Sequence, residues 1–228
     1  MKLRNKFFIF VLALVIVGTL MAPAVLAKKD FNDYVMEVVD SYPTDGSYPY
    51  DWTSEDGYYG ITKDLHYNDQ VFVKGDKKNR SYCSGITFEV FIQAYQAYNQ
   101  DLGVDGIKGI DTIEDLENLR VMWYGADGDK TTIKHALEET GLGYELKDRL
   151  AVKKGDFVQL WRHSGSGHTA VFINWVQDKD NQIIGFKYWS SNYKKGISYG
   201  TEYFGDSGST IIKDQTYFMR VIEPMKLK

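Results

Sequence analysis

The chain is organised around SYCSGITFEVFIQAY, residues 81–95. Its apolar residues recur at i, i+3, i+4 and i+7, the spacing of one helix face: Phe88, Phe91, Ile92 and Tyr95. The only cysteine of the chain, Cys83, comes just before this pattern. We therefore expect Cys83 at the N-terminus of an α-helix, with Ser81 or Ser84 available as the cap.

The position of Cys83 favours a chemical role. Unpaired N–H groups and the positive end of the helix dipole stabilise an anion at a helix start, so we expect a lowered thiol pKa. The alternative is a buried free cysteine that packs as a small apolar side chain. Export argues against that alternative, because an idle free thiol outside the cell is open to oxidation.

Residues 1–27 have the pattern of a secretory signal. Lys2, Arg4 and Lys6 form a basic start, residues 7–20 are apolar, and VLA at 25–27 fits cleavage after Ala27. An uncleaved membrane anchor is the alternative, because the apolar stretch approaches the ~20 residues of a spanning helix. We expect a single domain, residues 28–228, that is secreted or held in the cell envelope and meets the membrane only through the signal segment.

Charge and composition exclude several classes of protein. Without residues 1–27 the chain keeps 24 basic and 31 acidic residues, a net charge of −7, which argues against a nucleic-acid partner. A single cysteine and the absence of an HExxH motif argue against zinc. The sequence implies no metal and no organic cofactor.

The order of the predicted elements indicates an α+β fold. Helical periodicity at 28–42, 111–124 and 131–140, the last with Thr132 as its cap, joins that of the Cys83 helix. A short strand is expected at 70–73. From residue 152 the period becomes that of strands, at 156–161, 168–175, 183–192, 198–204 and 217–222, joined by short turns. We expect an antiparallel sheet with the helices on one face, and no internal repeat. The Tyr- and Trp-rich loop at 41–60 either walls a substrate cleft or packs over the core.

His168 is the best candidate for a base that acts on Cys83. It begins a buried strand directly after Gly167, which fixes the ring, whereas His163 lies in the flexible part of the preceding turn. The next strand ends with Ser190 and Asn192 on one face, and either side chain can orient the imidazole. The order of a cysteine, a histidine and a polar residue predicts a nucleophilic site.

Four segments resemble known cell-wall enzymes. CSGIT at 83–87 is similar to the D-C-S-G-L-V motif of NlpC-type peptidases, and KGDFV at 154–158 to their P-G-D-L-V strand. GHTAVFI at 167–173 resembles their S-H-V-G-I-Y-I strand. WSSN at 189–192 is similar to the S-E-M-N segment of the related CHAP amidases.

The resemblance implies a papain-like fold with Cys83 as nucleophile, His168 as base and a polar residue near Asn192 completing the site. The implied activity is hydrolysis of amide bonds in peptidoglycan or other peptides. The backbone N–H of Cys83 would bind the oxyanion, with Tyr58 or Tyr59 as candidate second donors. Two other functions stay open: a non-catalytic binding protein of the cell envelope, and an acyl transferase of the transglutaminase type.

Overall fold

A computed structural model of the protein describes residues 29–53, 55–67 and 70–223. The predicted signal segment, residues 1–27, lies outside this part of the chain. Among the helices described, none is both long enough and apolar enough to cross a membrane.

Four α-helices lie where the helical periodicity predicts them: α1 (Phe31–Asp40), α2 (Cys83–Leu102), α3 (Ile113–Tyr124) and α4 (Ile133–Glu139). Asp30 and Thr112 cap α1 and α3 through capping boxes, in which each side chain accepts from the helix backbone. Thr132 stands at the N-cap position of α4 but makes no capping bond. The predicted cap is therefore wrong, because its hydroxyl donates to Gln159 instead.

The strands form two antiparallel sheets. β1 (Leu65–Tyr67) and β2 (Gln70–Val73) pair with each other. The other strands make one sheet of order β3-β8-β4-β5-β6-β7: β3 (Gly143–Glu145), β4 (Phe157–Arg162), β5 (Gly167–Gln177), β6 (Ile183–Asn192), β7 (Gly196–Tyr203) and β8 (Ile211–Val221). The predicted α+β class with an antiparallel sheet is confirmed, although β1 and β3 were not predicted and β8 begins earlier than expected.

Each face of the large sheet has its own core. Alternate side chains point to opposite faces of a strand, so Phe157, Val171 and Trp189 join the cluster that includes all four helices. Phe172 and Phe186 belong to a second cluster without helical members. A bridge between Phe204 and Ile211 links the end of β7 to the start of β8, so the sheet partly closes around this second cluster. The expectation that the helices cover one face is confirmed.

Helix α2 passes through the first core and is fixed by two unusual positions. A Cβ added at Gly85 would lie 2.3 Å from the carbonyl oxygen of Gly60, so only glycine lets this loop cross the first helical turn. One turn later the fully buried carboxylate of Glu89 accepts hydrogen bonds from the backbone N–H of Thr62, at 2.6 Å, and from the Tyr42 hydroxyl, at 2.5 Å. The start of α2 is therefore held against residues 60–62.

A buried ion pair ties the start of α1 to the sheet. Asp156, which is 1% exposed, accepts hydrogen bonds from Nε and Nη2 of Arg220 in β8, at 2.9 and 2.7 Å. The same carboxylate accepts from the Asn32 side chain at 2.9 Å and from the Lys153 N–H at 2.7 Å. Because Asn32 and Arg220 are both far from Asp156 along the chain, Asp156 acts as a structural connector.

We expect Asp156→Ala to lower the free energy of unfolding by about 3 kcal/mol, because it leaves the Arg220 guanidinium without its buried partner. Urea denaturation followed by circular dichroism measures this loss. Asp180→Ala, in the exposed turn after β5, is the matched control and should change stability by less than about 0.5 kcal/mol. Equal effects of the two substitutions would contradict the connecting role of Asp156.

Candidate active site

Cys83 is the first residue of α2. The N-cap is Tyr82, which makes no side-chain capping bond. The predicted caps are wrong: Ser84 is already inside the helix, and the Ser81 hydroxyl donates to Ser191 Oγ in β6 at 2.8 Å. The first N–H groups of α2 therefore lie next to the thiol without a capping oxygen.

A cavity of about 640 Å³ lies between the start of α2, the start of β5 and the end of β6. Cys83, His168 and Asn192 all line it. Ser190 is fully buried, and its hydroxyl donates to the carbonyl oxygen of Thr169 at 2.7 Å. The structure thus brings three of the four predicted residues to one cavity and leaves Ser190 behind its wall.

His168 is held rigidly at the start of β5. The residue is 8% exposed, and its ring meets that of Tyr188 edge to face, with centroids 5.3 Å apart. Its Nε2 atom is buried and has no hydrogen-bond partner in the part of the chain that the structure describes. Burial lowers the pKa of His168 to about 3, and the charge of Arg162 adds to this shift. The imidazole is therefore neutral at physiological pH.

The other histidines lie elsewhere. His66 is exposed in β1. The His135 Nε2 atom lies 3.2 Å from Oδ2 of Asp127. His163 is exposed in the turn before β5, with Nε2 2.9 Å from the Gly205 carbonyl oxygen. None of the three lines the cavity that holds Cys83.

Asn192 lies beside His168 and is itself firmly anchored. β5 and β6 pair Val171 with Trp189, and continuing this register brings Asn192 level with His168. The Asn192 amide donates to the Ser190 and Ser198 carbonyl oxygens, at 3.0 and 2.9 Å. Its Oδ1 accepts from the Tyr188 hydroxyl at 2.9 Å, and hydrogen bonding by the side chain raises the pKa of His168 against the larger effect of burial. This residue is therefore placed to orient the imidazole.

The thiol differs from our expectation. Burial raises the pKa of Cys83 above its ordinary value, and this outweighs the N–H and hydroxyl groups of Thr169 and the N–H of Ser84, which lower it. The predicted lowering is thus wrong, because the helix start acts on a thiol that has lost much of its water. The resting site holds a neutral thiol and a neutral imidazole.

Aromatic residues of the loop at 41–60 form the mouth of the cavity, which favours the cleft-wall interpretation of this loop. Tyr50 and Trp52 line it, and burial together with the neighbouring Cys83 raises the pKa of Tyr50 to about 12. Arg80 holds the loop through ion pairs with Asp51, at 3.1 Å, and Glu55, at 2.9 Å. Aromatic content was the only signal in the sequence for this wall.

Neither of the predicted oxyanion donors reaches the cavity. The Tyr58 hydroxyl donates to the Asp51 carbonyl oxygen at 2.9 Å. The Tyr59 ring packs under the guanidinium of Arg120, whose Cζ atom lies 4.4 Å from the ring centroid. Both are corrections to the sequence analysis, which also missed Thr132 and Gln159 in the cavity wall.

Comparisons with known proteins give no significant match to this chain among family models, curated proteins or solved structures.

We expect the native thiol to react with iodoacetamide along a pH profile whose midpoint lies above about 8.5, the value of a free cysteine. The reagent attacks the thiolate, and a raised pKa means that less than half of the thiol is ionised at pH 8.5. Mass spectrometry of the alkylated protein measures the rate. The urea-unfolded chain is the control and should titrate near 8.5. A native midpoint well below that value would contradict the neutral pair.

Proposed function

We propose that this protein is an exported cysteine hydrolase with a papain-like fold that cleaves amide bonds in peptides of the cell wall. One observation carries the proposal: the only cysteine shares a cavity with a buried imidazole whose Nε2 has no partner among the described residues. A buried polar atom left unpaired is costly, and such atoms need an explanation. A base that receives a proton during each reaction cycle provides one.

The neutral state of both groups suits general-base catalysis. His168 takes the thiol proton on its ring while the sulfur of Cys83 forms a bond to the amide carbonyl carbon. The carbonyl electron pair moves to oxygen, where the backbone N–H of Cys83 stabilises it. Collapse of this intermediate passes the proton to the leaving amine and leaves a thioester. Water, deprotonated by His168, then releases the carboxylic acid and restores the thiol.

Export and the substrate class rest on the sequence. The signal-like pattern of residues 1–27 supports delivery to the cell envelope or the medium. The resemblance of the segments around Cys83 and His168 to NlpC-type and CHAP enzymes supports peptidoglycan peptides as substrates. The cavity is compatible with an uncharged peptide, because Arg162, the one cation among its described lining residues, is paired with Glu202.

A binding protein without catalysis is the second candidate, and the rim of the cavity favours it. Trp52 and Tyr193 line the mouth and are 62% and 73% exposed, as expected of rings that stack on a ligand. The raised pKa of Cys83 also fits a thiol that takes no part in chemistry. This candidate requires binding of cell-wall fragments with no change in their mass.

The test is incubation of residues 28–228 with purified peptidoglycan, followed by mass spectrometry of the released fragments. We expect new amine and carboxylate ends, and we expect Cys83→Ala and His168→Gln each to abolish them. His163→Gln is the matched control, because this exposed ring lies outside the cavity, and it should keep most of the activity. Bound fragments of unchanged mass would instead establish the binding protein.

We expect Asn192→Ala to lower turnover by about 10- to 1,000-fold, or roughly 1.4–4 kcal/mol of transition-state stabilisation. The asparagine orients the His168 ring without carrying a charge, so its loss costs less than loss of the base. Ser190→Ala should have a smaller effect, because the serine hydroxyl contacts the Thr169 carbonyl oxygen behind the wall. Steady-state kinetics on the cleaved fragment measures both, and a larger effect of Ser190→Ala would contradict this assignment.

A further inference from the structure

Gln159 lines the same cavity as Cys83 and has no part in the mechanism above. It stands in β4 directly opposite Thr169 in β5. Side chains of opposed residues in an antiparallel pair share a face, with Cβ atoms about 4.5–5.5 Å apart. Thr169 is the residue whose N–H and hydroxyl face the Cys83 sulfur. Gln159 is therefore next to the residue whose N–H and hydroxyl act on the pKa of the thiol, on the same face of the sheet.

The Gln159 amide has a fixed orientation and one unused donor. Its Oε1 accepts from the Thr132 hydroxyl at 2.5 Å, while its Nε2 donates to the Leu160 carbonyl oxygen at 3.2 Å. These two contacts decide which atom is oxygen and which is nitrogen. The second hydrogen of Nε2 has no partner within residues 29–53, 55–67 and 70–223, although Gln159 is only 2% exposed and lines the cavity. A buried donor of this kind is costly unless a ligand accepts from it.

Thr132, which holds the amide, has a strained backbone. Its φ is +43° and its ψ is −103°, which is an outlier for a β-branched residue. Gly125 makes room for it, because a Cβ there would lie 2.9 Å from Cγ2 of Thr132. Strain of this kind persists only where the surroundings enforce it, and it concentrates at ligand-binding and catalytic sites. The strain is thus an independent sign that the position of the amide matters.

We propose that Gln159 is a catalytic residue whose free amide N–H donates to the carbonyl oxygen of the bond that Cys83 attacks, and that Thr132 is its positioning residue. The inference rests on the proposed function. When the sulfur–carbon bond forms, the thiol proton moves to His168 and the carbonyl electron pair moves to oxygen. The backbone N–H of Cys83 and the Gln159 amide then stabilise that oxygen together. Gln159 thereby takes the role that the sequence analysis gave to Tyr58 or Tyr59.

Other donors in the wall are less suitable. The indole N–H of Trp123 donates to Thr87, and that of Trp161 donates to the Lys130 carbonyl oxygen. The Tyr50 hydroxyl belongs to a loop, and no hydrogen bond to another described residue fixes its direction. Gln159 combines a rigid strand, a fixed amide and a spare hydrogen.

The experiment compares two reagents on the purified protein. A short acetylated alanine peptide aldehyde adds reversibly to the thiol, and its oxygen then occupies the oxyanion position. Methyl methanethiosulfonate instead forms a mixed disulfide, releases methanesulfinate and has no carbonyl oxygen. We expect Gln159→Met to weaken the aldehyde complex by about 10- to 100-fold, as for loss of one hydrogen bond to a charged group, and to change the methanethiosulfonate rate by less than about 3-fold. Gln182→Met, in the exposed turn before β6, is the matched control and should alter neither.

Further variants keep the test decisive. Gln159→Glu preserves the size of the side chain and is used if Gln159→Met does not fold; it should weaken the aldehyde complex more, because a carboxylate repels the oxyanion. Thr132→Gly removes the hydroxyl that holds Gln159 and should weaken the aldehyde complex. Thr132→Ser keeps this hydroxyl and should bind the aldehyde as tightly as the wild type. Aldehyde binding by Thr132→Gly equal to that of the wild type would overturn the positioning role.

The possible failures are distinguishable. If the wild-type protein forms no aldehyde adduct, the proposed function fails and this inference fails with it. If the adduct forms and Gln159→Met binds the aldehyde equally well, or loses both reactions in parallel, only the role of Gln159 is overturned. An affinity loss in Tyr50→Phe but not in Gln159→Met would assign the donor to the tyrosine and likewise overturn the proposal.

Discussion

The position of the first two turns of α2 is the constraint on which the candidate site depends. On one side the missing side chain of Gly85 admits the backbone of Gly60, and the buried carboxylate of Glu89 holds Thr62. On the other side the Thr87 hydroxyl donates to Thr169 of β5 at 3.1 Å. A buried carboxylate is tolerated only when its hydrogen bonds are made, and burial raises the pKa of Glu89. Because both sides are fixed, Cys83 has little freedom relative to the sheet.

Burial has opposite effects on the two ionisable groups that share the cavity. Burial raises the pKa of Cys83 and lowers that of His168. It therefore disfavours both the thiolate and the imidazolium. The helix dipole, which favours a thiolate, acts mainly within the first turn and is worth less than the loss of water. Enclosure thus sets the protonation state in the resting protein. It also strengthens any hydrogen bond that forms to a substrate in the same cavity.

Residues of the recognisable motifs divide into those at the cavity and those that build it. Cys83 and His168 line the cavity. Asp156, in the segment that resembles the P-G-D-L-V strand, is buried in an ion pair that connects α1 with β8. Gly85 and Gly167 provide space: a Cβ at Gly167 would lie 2.9 Å from the ring of Trp161. A motif in a sequence therefore mixes chemistry with packing, and only the contacts separate the two.

Local patterns were enough to predict the four helices, the five long strands and the α+β class, because side-chain period and turn residues are local properties. The sequence also selected Cys83 and His168, with Ser190 or Asn192 as the third residue, because each lies at the end of an element; the structure puts Asn192 rather than Ser190 at the cavity. Other features follow from contacts between distant residues. The hydroxyl of Ser190 faces a carbonyl oxygen, Thr132 holds Gln159 rather than α4, and the thiol pKa rises rather than falls. Each of these outcomes depends on neighbours that are distant along the chain and on how much water the fold removes, and no local pattern records either.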